Sequence, residues 1–249
     1  RNAARRGHAT SLMPKGTLYL VPVSIGESRP DAMLPAEVLR IARDLRYFIV
    51  ENAKSARAEL KRLGIRPPIR EIVLRELPRN LRQADLDALL APLIAGDSAG
   101  LMSEAGAPAV ADPGALLVRA AHANNIHVAP LVGPSSLFLA LMASGLNGQN
   151  FAFHGYLPVR EPERSKRIME LERESHREGC TQMFIETPYR NASLFSAFLA
   201  SCRPDTLLCV ATELTTQRES IATMPVSSWR ANPPPSIEKK PTVFLLLAG

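Results

Sequence analysis

Strand-length apolar segments alternate with segments of helical spacing through the first 145 residues, and this alternation restricts the chain to one broad class of fold. Residues 17–21 read TLYLV, a strand pattern ended by Pro22. Leu34, Val38, Ile41, Ala42 and Leu45 then recur at helical spacing. Residues 47–50 (YFIV) form a second strand closed by Glu51, and residues 53–63 form a helix stopped by Gly64. The pattern repeats with strands at 72–74, 99–102 and 127–131 and helices at 85–94, 115–121 and 134–143. Strands separated by helices pair in parallel through crossover connections, so this half is expected to be an α/β domain with a largely parallel sheet.

Three polar loops follow strands in this half, at 22–29, 51–55 and 103–114. In a parallel sheet all three gather on the carboxyl edge, where such sheets place ligands. The third loop reads SEAGAPAVADPG and is longer than most strand–helix connections. Gly106 and the alanines permit close approach to the backbone, and Pro108 and Pro113 stiffen the path.

The turn-rich stretch 146–150 marks a change of pattern. Strand patterns at 151–155, 181–185, 207–212, 220–224 and 242–248 are separated by only two good helices, 162–175 and 191–202, which argues for a mixed sheet. The expected organisation is a basic tail at 1–15, an N-terminal α/β domain at 16–147 and a C-terminal α/β domain at 148–249. The tail carries Arg1, Arg5, Arg6 and Lys15 without an acid or an apolar core, so it is no secretory signal, and Met13 is a possible natural start.

No apolar run reaches the roughly 18 residues of a membrane helix. Cys180, Cys202 and Cys209 lack metal-site or disulfide spacing, and the five histidines are scattered. A reducing cytoplasm and no protein-bound metal are expected. The net charge of +6 permits an RNA partner without demanding one.

Six segments taken in order resemble the tetrapyrrole-methylase superfamily of S-adenosylmethionine (SAM)-dependent methyltransferases. Within it, the resemblance is to the branch of bacterial small-subunit ribosomal RNA ribose 2′-O-methyltransferases. They are GTLYLVPVSIG at 16–26, SEAGAPAVADPG at 103–114, PLVGPSS at 130–136, FHGYLP at 153–158, IETPYR at 185–190 and TELT at 212–215. The resemblance implies two α/β domains with SAM between them, a homodimer and an RNA acceptor. It assigns donor contacts to Pro22, Gly106, Ala107, Pro108 and Ala109, to Ser135 and Ser136, to Thr187, Pro188 and Tyr189, and to Glu213, Leu214, Pro241 and Thr242. Taken without the resemblance, Ser135 and Ser136 read as plain helix caps and Tyr189 as a packing residue.

The acceptor side departs from that family. Where the family carries EDTRHT this chain reads ENAKSA at 51–56, and HEHN is represented by 76–80, ELPRN. PIGN has become Ile25–Gly26–Glu27. A ribose hydroxyl is a poor nucleophile and is helped by a base or by charge that stabilises the alkoxide. Glu51, Glu27, Glu104, Lys54 and His154 are the candidates, with Glu51 expected as base and Lys54 as an electrostatic or phosphate contact. Two other readings fit the rewritten loops: a methyltransferase for a small tetrapyrrole-like acceptor, and a catalytically silent SAM- or RNA-binding protein.

Overall fold

The computed structural model describes residues 14–249, so all but the last two residues of the expected basic tail lie outside it. The chain forms two contact units, one made of residues up to Val23 with Leu34–Gly133, the other of Ser24–Met33 with Pro134–Gly249.

The first unit carries β1 (Thr17–Leu20), α2 (Ala36–Asp44), β2 (Tyr47–Val50), α3 (Ala53–Leu63), β3 (Val73–Glu76), α4 (Gln83–Ile94), β4 (Ala99–Met102), α5 (Gly114–Ala123) and β5 (His127–Pro130). The strands form one wholly parallel sheet in the order β3-β2-β4-β1-β5. β2 and β4 are buried along their whole length. That burial explains why YFIV and AGLM carry no polar residue: both faces of these strands are covered. The Phe48 ring lies against Gly100, where a Cβ would come within 2.6 Å of it, so only glycine lets β2 and β4 pair at this register. Leu18, Ile49, Leu90, Leu93, Leu101, Leu117 and Ile126 form the core between sheet and helices. α3 starts because the Asn52 side chain accepts the N–H groups of Lys54 and Ser55, and it ends at Gly64, which takes φ 69°.

The second unit holds α1 (Pro30–Met33), α6 (Ser136–Ser144), β6 (Phe151–Phe153), α7 (Glu163–Glu178), β7 (Thr181–Ile185), α8 (Asn191–Ser201), β8 (Leu207–Thr212), β9 (Ser220–Pro225), α9 (Val226–Ala231) and β10 (Thr242–Leu247). Its sheet runs β6-β7-β10-β8-β9 and is mixed: β6 and β7 are parallel, the other pairs antiparallel. β10 enters between β7 and β8 and needs no crossover helix, because antiparallel neighbours can be reached by loops. Phe184, Phe198, Phe244, Leu194 and Trp229 fill one face of the sheet. Ala140 and Leu141 of α6 close the other, against Met183, Cys209 and Leu245. α6 precedes the turn-rich stretch in sequence yet packs on this sheet, so the long segment of the second unit starts at Pro134 and not after residue 147.

Candidate functional site

In the first unit, β2 leads outward to β3, whereas β4 leads across β1 to β5. The connections therefore diverge at the carboxyl ends of β2 and β4, and such a switch point leaves a crevice above the sheet. A pocket of about 340 Å3 opens there, lined by Glu51, Asn52, Leu77, Arg79, Glu104 and Pro113. Each lining group comes from the loop after β2, β3 or β4; the 22–29 loop, expected to gather there, contributes none of them, and the loop after β3 takes a place instead.

Backbone and side-chain bonds fix Glu51. Its N–H donates to the Met102 carbonyl at 3.2 Å, which continues the β2–β4 pairing by one residue. Its carboxylate accepts the Glu104 N–H at 3.2 Å. The Ser55 hydroxyl lies 3.1 Å from the Asn52 carbonyl and 3.2 Å from a Glu104 carboxylate oxygen. Glu76 accepts the Ala53 N–H at 2.7 Å, tying the ends of β2 and β3 together. Burial raises the Glu51 pKa from its ordinary value; the Glu104 N–H opposes this, and the charges of Glu104 and Asp112 add to it. Lys54 sits in the first turn of α3 with its side chain exposed.

The 103–114 loop is held mainly through its backbone. Gly106 and Val23 exchange a pair of N–H···O bonds at 3.0 and 2.9 Å, joining the loops after β4 and β1. Gly106, Ala109 and Ala111 take left-handed φ values of 69°, 65° and 62°. The Asp112 carboxylate supports this path by accepting the N–H groups of Ala109, at 2.9 and 3.0 Å, and of Gly114, at 2.7 Å. Burial raises the Asp112 pKa against the pull of those two donors. Pro22 is buried, and its ring occupies the space a Gly133 side chain would need. Pro108 is buried as well, with Ala107 beside it half-buried.

The second unit gathers the C-terminal candidates. Glu186 accepts the Thr187 N–H at 2.6 Å and pairs with Arg190 at 2.6 Å, which shapes the turn through Pro188 and leaves Tyr189 81% exposed. The Pro188 carbonyl accepts the Lys239 N–H, and the Glu213 N–H donates to the Pro241 carbonyl. The segments at 187–190, 213–214 and 239–242 are thus neighbours. Glu213 is buried at φ 50°; one of its oxygens pairs with Arg218 at 3.0 Å, and the other has no hydrogen-bond donor, with the Lys240 ammonium 3.5 Å away. Leu214 is buried, and the Thr242 hydroxyl is engaged by Asn191 and Lys240. Ser135 holds the N-cap position of α6 with extended backbone but makes no side-chain cap bond. Ser136 opens that helix.

Two candidates belong to the second unit and are not among the residues lining the Glu51 pocket. His154 hydrogen-bonds the buried Gln182 and stacks on Phe184 at 5.5 Å between ring centroids, a packing arrangement in the second unit. Glu27 lines a different cavity with Ser28, Arg29 and residues 215–218. The sequence patterns do not mark Arg79 as a pocket residue or Asp112 as the brace of the loop. A local signal for Asp112 is nonetheless present: an acid two residues before a helix-opening glycine accepts that glycine's N–H.

No family model matches the chain. Among curated proteins, the ribosomal RNA small subunit methyltransferase I of Xylella fastidiosa is 33% identical over 206 residues, 83% of this chain and 71% of that protein. The protein of the same name from Leptospira biflexa is 31% identical over 232 residues, 93% and 91% of the two chains. That from Escherichia coli O157:H7 is 31% identical over 219 residues, 88% and 72%. Among solved structures, the methyltransferase CobJ superposes with a TM-score of 0.60 at 18% identity, covering 94% of each chain. The uroporphyrin-III-C-methyltransferase of Thermus thermophilus follows at a TM-score of 0.53 and 17% identity, again over 94% of each. The structural likeness establishes the α/β fold of the tetrapyrrole methyltransferases, and the sequence likeness, at 33% identity over 71% of a relative's length, places the chain in the ribosomal RNA small subunit methyltransferase I family.

Proposed function

We propose that the chain is a SAM-dependent methyltransferase whose acceptor is a ribose hydroxyl of small-subunit ribosomal RNA. The observation that carries this reading is a carboxylate, Glu51, lining a pocket on the carboxyl edge of the parallel sheet and held by the Glu104 N–H. Family membership supplies the reaction class and the curated relatives' names supply the acceptor class.

The residues assigned to the donor fit its chemistry. The α6 N-terminus is not capped by Ser135, so its N–H groups and the two serine hydroxyls suit a carboxylate. The Glu213 oxygen without a donor suits a hydroxyl or an ammonium group. Gly106, Ala107, Pro108 and Ala109 present small side chains on a fixed backbone, which suits a flat ring. Pro22, Thr187, Pro188, Tyr189, Leu214, Pro241 and Thr242 complete the proposed donor set. When bound, SAM supplies a methyl group made electrophilic by its sulfonium.

Glu51 takes the proton of the attacking hydroxyl. Its raised pKa makes it a stronger base than a solvated carboxylate, and the Glu104 N–H holds one of its oxygens in place. Lys54, beside the pocket rim, draws the acceptor's phosphate. The protein is proposed to work as a homodimer, as the resemblance implies, in the reducing cytoplasm expected from its cysteines. Among the described residues no helix is long and apolar enough to cross a membrane.

Incubation with tritiated SAM and, in parallel, small ribosomal subunits, total RNA and a small-molecule extract tests the reading. Label in RNA that survives protease is expected. Label confined to small molecules would replace the acceptor, and absence of SAM binding by calorimetry would overturn the whole assignment.

A further inference from the structure

The exposed face of α3 carries Lys54, Arg57 and Lys61 at i, i+3 and i+7, one stripe along the helix. None of the three makes an ion pair among the described residues, whereas Arg62 on the neighbouring face pairs with the buried Glu59 at 2.7 Å. Helix electrostatics favour Lys61 in the last turn but oppose Lys54 in the first, where no acid offsets it. The stripe therefore does not follow from stabilising the helix. It begins two residues after Asn52, which lines the Glu51 pocket, and Arg79 adds a further cation from the loop after β3. The acids of this region, Glu51 and Glu104, line the pocket; Glu76 is spent on the Ala53 N–H. Two carboxylates and Arg79 thus line the pocket, and unpaired cations continue along the helix leading away from it.

We infer that this stripe is the track for the acceptor strand's phosphates, running about 10 Å along α3 from the pocket rim. The inference rests on the RNA reading above and adds the surface that positions the strand. Phosphates repelled by the pocket carboxylates are held outside by Lys54, Arg57 and Lys61, while the sugar edge enters toward Glu51.

The test is the salt dependence of binding to a fluorescein-labelled, unstructured single-stranded RNA and to small ribosomal subunits. Each single-strand phosphate contact contributes about 0.7 to the slope of log K against log salt. The double variant Arg57→Gln/Lys61→Gln should make the slope shallower by about 1.4, equivalent to binding about 25-fold weaker at 0.1 M salt than the wild type when both are referred to 1 M. The charge-keeping pair Arg57→Lys/Lys61→Arg should restore the wild-type slope. Removing exposed cations of α7 through Lys166→Gln/Arg173→Gln should leave it unchanged. An unaltered slope in the first variant, or an equal fall in the α7 control, overturns the track. Wild-type protein that binds RNA and transfers label to it, together with an unaltered slope, refutes the track alone. Wild-type protein that neither binds nor labels RNA refutes the parent reading.

Discussion

The loop after β4 and the segment after β2 border one pocket but are built by different means. The 103–114 loop owes its path to backbone: the Gly106–Val23 exchange, three left-handed residues and a carboxylate that collects two N–H groups. The 51–56 segment presents side chains from a helix start whose only local requirement is a cap, met here by Asn52. A backbone-built loop tolerates little beyond small residues, so its composition stays recognisable. A segment that displays side chains can exchange all of them while the helix still begins. That contrast fits a chain whose 103–114 loop resembles the family's motif while its 51–56 segment departs from it.

Substitutions at the two places should therefore fail differently. Glu51→Gln should lower turnover by about 100- to 10,000-fold, the usual worth of a positioned base, with SAM affinity by calorimetry unchanged. Its pH dependence has a defined sign. The folded-state pKa of Glu51 lies above its unfolded value, so the folded state binds the extra proton in the window between them, and stability falls as pH rises through that window. Turnover should rise over the same window as the base is freed. Glu51→Gln should flatten the rise in turnover and leave the melting temperature at pH 7 equal to or above that of the wild type.

Gly106→Val should act on the other side of the comparison. It forces a β-branched residue into the left-handed region at a buried site, costing about 1–3 kcal/mol in chemical denaturation and removing measurable SAM binding. Asn52→Ala removes the cap of α3 and should cost about 1 kcal/mol with donor affinity intact. Ser135→Ala should be the smallest in stability, within about 0.5 kcal/mol, because no cap bond is lost, yet it should weaken SAM binding. A stability loss at Ser135 matching that at Asn52 would return Ser135 to a purely structural role.

The fold was legible because its signals are local. Runs such as YFIV at β2 and stops such as Gly64 mark elements without reference to distant partners. The mixed second sheet was legible from the lack of crossover helices. The short helices α1 and α9 were not, since four and six residues carry too little periodicity. Nor did sequence indicate that Ser24–Met33 joins the second unit: the Ile25 carbonyl accepts the Thr215 hydroxyl, and the Ser28 hydroxyl donates to the Thr215 carbonyl, about 190 residues away in sequence. The lining of the candidate pocket was half legible for the same reason. Glu51 stood out as a charged residue ending an apolar strand. Arg79 became a pocket residue only once β3 was paired beside β2.

The most direct measurement locates the transferred methyl. Alkali cleaves RNA through the free 2′-hydroxyl, so a methylated ribose leaves its linkage intact. After transfer of tritiated methyl to small ribosomal subunits, alkaline hydrolysis should leave the label in dinucleotides, and the Glu51→Gln protein should yield almost none. Label recovered in mononucleotides, or transferred equally well by Glu51→Gln, would contradict a Glu51-assisted methylation of ribose.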